Sequence, residues 1–220
     1  MARAEDLSSL RARVLATARA EPSATRRQVR IRHARLALGM LLAPLTLFLI
    51  AGGTRPAPRH ESLIVATATG AALLAALALL IAFRRGRSML GQPSSWLLAV
   101  SLLTPLALLA WKVAVSSRYP DMMLPWVERP GFRCLRLSGL FSVAPLLGAL
   151  LLRRGSDPLH PRAAGAALGA AVGAGTWVLV DLWCPVAYVP HLLLGHVLPL
   201  VLTILCGAAL GGRLLKLQNS

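Results

Sequence analysis

The sequence predicts an all-α fold: a polytopic membrane protein with a bundle of six transmembrane helices behind a short basic cytosolic N-terminal arm. Three observations predict it. Hydrophobic residues make up 56% of the 220 and charged residues only 15%, against about a quarter charged in soluble globular chains. The apolar residues gather into six runs, and a helix needs roughly 17–25 residues to cross a bilayer. The Lys and Arg, 24 against 8 Asp and Glu, collect at the ends of those runs. That placement points the basic excess at an anionic membrane surface rather than at nucleic acid. The runs lack the alternation of barrel strands, and lipid cannot satisfy open backbone groups, so helices are the spanning form.

The arm is residues 1–35, with nine arginines. Asp6 is placed to cap a helix. Leu7, Leu10, Val14 and Ala18 follow at three-four spacing and share one helical face, with Arg11, Arg13 and Arg19 mostly off it. Pro22 ends the pattern. A linker, Ser23 to Thr25, precedes a basic stretch from Arg26 to Arg35. Two readings stand side by side. In one, the arm is a topology signal plus an interfacial helix, each Arg near anionic lipid contributing on the order of 1 kcal/mol. In the other, Leu7, Leu10 and Val14 form a docking stripe for a cytosolic partner in the helix-in-groove manner. Direct nucleic-acid binding is weaker than either. The arm has no aromatics to stack on bases and no DNA-binding motif.

The membrane domain, 36–215, carries spans at 36–52, 63–83, 96–116, 134–152, 163–183 and 191–214. The first apolar run begins at Leu36, behind a long Arg-rich segment. It therefore reads as a retained helix rather than a secretory signal, whose basic region is short. Seventeen Lys and Arg fall in the arm, the loops after spans two and four, and the tail; five fall in the opposite loops. The positive-inside rule then places both termini in the cytoplasm. Lys112 and Arg136 lie inside spans near the predicted outer face, where both would snorkel outward. Pro44, Pro105, Pro145 and Pro199 each remove a backbone donor within a span. Span five repeats Gly165, Gly169 and Gly173, and span six carries Gly207 and Gly211. Small residues at this spacing let two helix backbones approach closely, within one chain or between chains. The longest loop, 117–133, holds three prolines with Tyr119 and Trp126 suited to a membrane interface.

The chemistry-bearing residues collect near the outer ends of the spans. Cys184, His191 and His196 follow Asp181, and the topology brings Cys134 to the same face. Such residues bind soft or borderline metals, and two cysteines in an oxidising compartment pair as a disulfide. The spacing matches no standard zinc motif, and residues five apart fall about 500° round an α-helix and do not share a face well. Structural polar packing is the favoured reading, with no metal and no cofactor expected. An ionisable residue in a span still marks function by default, so Cys134, Asp181, Cys184, His191 and His196 form a candidate sensing region. Cys206 reads as an apolar core residue of span six.

No GxSxG, HExxH or P-loop is present, and carboxylates are too scarce for most acid–base chemistry, so no enzyme is expected. A small transporter is the stronger rival, with kinked, Gly-rich spans around a midplane site. The two three-span halves show no clear internal repeat, and no charge is expected at mid-membrane.

From Cys134 onward the chain resembles the NrsF family, negative regulators of sigma F. The residues that carry this are Cys134-Leu135, Arg153-Arg154-Gly155, Pro158, Pro161, Ala164-Gly165, Gly169, Gly173, Cys184 and the end from Gly207 through Gly211-Gly212-Arg213-Leu214-Leu215. The short helix, the Glu21-Pro22 break and the arginines before span one match the family's N-terminal layout. Within the family, the stretches Asp181 to Pro185 and His191 to His196 are similar to the carotenogenesis regulators. The resemblance implies a bacterial inner-membrane anti-sigma factor that sequesters an extracytoplasmic-function (ECF) sigma factor and releases it under light. The arm has one His and no Cys, so docking would use its helix, at Leu7, Leu10, Arg11, Val14 and Ala18.

Overall fold

The computed structural model describes residues 25–54, 61–84, 92–124, 131–154, 159–184 and 186–216, together with Ala12 and Ala16. Its helices are α1 (Arg26–Ile50), α2 (Glu61–Phe83), α3 (Ser94–Ser116), α4 (Phe132–Leu152), α5 (Pro161–Trp183) and α6 (Val189–Leu214). A 3₁₀ turn, Pro120–Met123, follows α3. All six are long and apolar enough to cross a membrane. By packing, the chain divides into two units, Met1–Arg35 and Leu36–Ser220.

The predicted spans and the helices agree at the C-terminal ends of α2 to α6. Each of these helices starts two residues earlier than its apolar run. The reason is local: a first turn takes residues that hydropathy does not see, such as Glu61 in α2 and Pro161 in α5. The start of α1 differs more. It lies at Arg26, well ahead of Leu36, so the basic stretch is helical. Thr25 and Gln28 form a capping box: the Gln28 amide donates to Thr25 Oγ1 at 3.3 Å, and the Thr25 amide donates to Gln28 Oε1 at 2.9 Å.

Within the 36–220 unit, α5 is the hub, with 78% of its apolar window buried against 11% for α1. It packs on α6, α2, α3 and α4. Its Ala and Gly residues explain this. Lipid is as apolar as a leucine surface, so helices gain by approaching closely rather than by leaving lipid. A Cβ on Gly165 would lie 2.8 Å from Gly211 Cα, and one on Gly169 would lie 2.8 Å from Ile204 Cα. The glycine repeats of spans five and six therefore pack against each other within one chain. Leucine-rich α1 buries only Pro44 and Phe48.

Side chains close the helix ends. At one end of the bundle, Gln92 Nε2 donates to Ile81 O at 2.9 Å and to Arg84 O, and Arg153 Nη1 donates to Phe83 O at 3.3 Å. These donors satisfy carbonyls that the end of α2 leaves open. At the other end, Trp183 Nε1 donates to Ala51 O at 3.2 Å, and the Arg133 guanidinium lies 4.9 Å from the Trp183 ring centre.

Candidate functional site

The end of the bundle that holds Trp183 also gathers the titratable and nucleophilic side chains. Cys134 comes from the first turn of α4, Cys184 from just past α5, and His191 and His196 from the start of α6. All four are buried, and one ligand atom from each lies within 4.8 Å of the others. Cys184 Sγ is 3.1 Å and Cys134 Sγ 3.5 Å from His191 Nε2.

Two local features build this cluster. The first corrects the helical-wheel expectation that His191 and His196 do not share a face well. α6 is not regular there: Leu193–Val197 is a π-helical turn, and the Leu198 amide donates to Leu193 O, five residues back. That register aligns residues five apart, and the two imidazole centres lie 5.8 Å from each other. Pro199 is the physical cause. It has no N–H for Gly195 O, and its ring crowds that carbonyl. Ser138 Oγ makes a long 3.5 Å contact with Gly195 O instead.

The second feature is a close approach of α4 to this turn. Gly131 has φ +94°, a conformation that side chains disfavour. A Cβ there would lie 3.2 Å from His191 O, and a Cβ on Gly195 would lie 2.9 Å from Cys134 Cβ. Gly131 and Gly195 thus let the α4 N-terminus reach the π turn and bring Cys134 to His191. The spacing of the cysteines and histidines carries no sign of this. The signals were the Gly131 before span four and the Gly195-x3-Pro199 step.

Asp181 belongs to the same end. Its carboxylate pairs with Lys112 Nζ at 2.5 Å, and both side chains are buried. The expectation that Lys112 snorkels outward is therefore corrected: a buried partner on α5 holds it inside the bundle. Arg136, in contrast, is exposed.

His196 is packed against Trp177, ring centres 5.1 Å apart, and is only 2% exposed. Neither of its ring nitrogens has a hydrogen-bond partner among the described residues. A buried polar atom left this way costs about 1–3 kcal/mol. Past the end of α5, the Cys184 thiol is held well below the ordinary thiol range. A hydrogen bond with Cys134 is the main cause, opposed by burial and reinforced by His191 and the nearby His196. Cys206 is exposed on α6, against the expectation of a core position. The docking residues Leu7, Leu10, Arg11, Val14 and Ala18 lie outside the described residues.

A family model described as NrsF, negative regulator of sigma F, matches residues 15–217. No curated protein and no solved structure matches the chain. The match runs through all six apolar helices and takes in the cysteine–histidine cluster. The chain thus belongs to the NrsF family of negative regulators of sigma F.

Proposed function

We propose that this protein is a multi-pass inner-membrane anti-sigma factor that holds an ECF RNA polymerase sigma factor at the cytoplasmic face, with both termini cytoplasmic. The observation that carries the reading is the family match over residues 15–217 of a chain with six apolar helices. The positive-inside count supports the orientation. Docking is assigned to the arm through Leu7, Leu10, Arg11, Val14 and Ala18, with membrane lipid around the bundle and no direct nucleic-acid contact. Polymerase-binding surfaces of the sigma factor are hidden while it is held. The chain carries out no enzymatic reaction. Signal reception is assigned to the bundle end that holds Cys134, Asp181, Cys184, His191 and His196, all of them buried. The similarity of the stretches around Asp181 and His191 to the carotenogenesis regulator CarR supports light as the signal and carotenoid synthesis genes as the target.

The transporter reading gains no comparable support. A cavity of about 450 Å³ between α1, α2, α4 and α5 is lined by apolar side chains and Thr176. That lining suits lipid chains rather than a hydrophilic solute.

The test is a pull-down from solubilised native membranes. The full chain is expected to bring down a sigma factor, and a chain lacking residues 1–33 is expected to lose it. Capture that survives Leu7→Glu with Leu10→Glu would remove the proposed docking face. Absence of any sigma factor with the inserted full chain would overturn the regulator reading.

A further inference from the structure

We infer that Cys134, Cys184, His191 and His196 form a metal site that takes one tetrahedral divalent ion of borderline softness, with Zn²⁺ the best fit. Four observations converge. The donor set, two thiols and two imidazoles, is one that zinc accepts in closed four-coordinate sites. The geometry is nearly that of a site: zinc–sulfur bonds of about 2.3 Å and zinc–nitrogen bonds of about 2.0–2.1 Å place tetrahedral donors roughly 3.3–3.8 Å apart. Here Cys184 and Cys134 stand 3.1 and 3.5 Å from His191 Nε2, and all four donor atoms fall within 4.8 Å. Closing on an ion therefore needs shifts of about 1 Å or less.

The third observation is the His196 ring. It is buried, turned into the cluster, and neither nitrogen has a hydrogen-bond partner among the described residues. A buried unpaired imidazole needs an explanation, and coordination to an ion supplies one. The fourth is charge. Two thiolates and two neutral imidazoles carry −2, which a divalent ion balances to zero. The Lys112–Asp181 pair is neutral by itself. In a low-dielectric bundle an uncompensated charge is strongly disfavoured. A monovalent copper ion would leave the site negative, so the balance favours a divalent one.

The ligands come from α4, from the connection after α5 and from α6. The ion would tie these three segments together at one end of the bundle. This deepens the reading of that end as the sensing region, but its test is read on the metal, so it fails separately from sigma capture.

The full chain is purified in detergent under reducing conditions, and its metal content is measured by elemental mass spectrometry. One zinc per chain is expected. After chelation, Co²⁺ titration should produce intense tetrahedral visible bands and a thiolate-to-cobalt charge-transfer band, with a stoichiometry of one. Cys184→Ser and His196→Gln should each weaken the metal by more than about 100-fold, beyond the 10–100-fold typical of outer-shell changes. Cys206→Ser should leave affinity unchanged. Because ligand variants can fold poorly, the Co²⁺ spectrum of the wild-type chain decides the case independently. Weak octahedral cobalt bands, stoichiometric zinc retained by the Cys184→Ser, His196→Gln double variant, or metal-free protein with a Cys134–Cys184 disulfide would each overturn the proposal.

Discussion

Lys112 and Asp181 show how strongly a single pair constrains this bundle. Each charge alone would be intolerable at its burial; together they neutralise each other at 2.5 Å. Breaking a buried pair from one side leaves the other charge uncompensated, at a cost of about 3–5 kcal/mol. Lys112→Met should accordingly lower the melting temperature of the detergent-solubilised protein sharply. Lys112→Met with Asp181→Leu should recover most of the loss, because an apolar pair of similar volume leaves no buried charge. Equal melting of the single and double variants would show that the pair carries no coupling. At Thr25 the effect is smaller: Thr25→Ala removes the cap of α1 and should cost about 1 kcal/mol of helix stability, read as earlier fraying by circular dichroism.

Two elements are set by small residues and a proline. The α5–α6 contact depends on backbones that touch at Gly165, Gly169, Gly207 and Gly211. Gly169→Leu should force the helices apart and destabilise the bundle by at least the 1–3 kcal/mol typical of overpacking. Gly175→Ala should be neutral, since nothing lies within 4 Å of a Cβ there. Thermal unfolding of the two variants in the same detergent checks the contrast. The π turn of α6 is the second case. Pro199→Ala restores an amide that can bond Gly195 O and should let α6 relax to a regular α-helix. His191 and His196 would then rotate apart, and Co²⁺ affinity should fall although no ligand has changed.

For the whole molecule, regulation requires that signal reception and sigma capture be separable. Deleting residues 1–33 should abolish sigma capture yet leave the melting temperature of the remaining bundle within a few degrees of the full chain. A bundle that fails to fold without the arm would show instead that residues 1–33 serve stability. The family match covers residues 15–217, which takes in the whole bundle and, of the proposed docking residues, Ala18.

The sequence alone determined the class of the molecule. Six apolar runs, flanked by arginine, admit few other folds, because the bilayer enforces both length and backbone satisfaction. The helix ends after Phe83, Ser116, Leu152, Trp183 and Leu214 were legible for the same reason. The Gly165–Gly169–Gly173 spacing announced a close helix contact, though not its partner. The site was legible only as a list of residues on one face. Hydropathy places residues along the membrane normal but says nothing of how helices rotate about their own axes. Rotation is decided by packing: Gly131 and Gly195 admit α4 against α6, and Pro199 winds α6 into a π turn that aligns His191 with His196. The same packing turned Lys112 inward to Asp181, where one-dimensional reasoning sent it out to the interface. Which polar groups meet inside a membrane bundle is a property of helix rotation and close approach, and only the tertiary structure decides these.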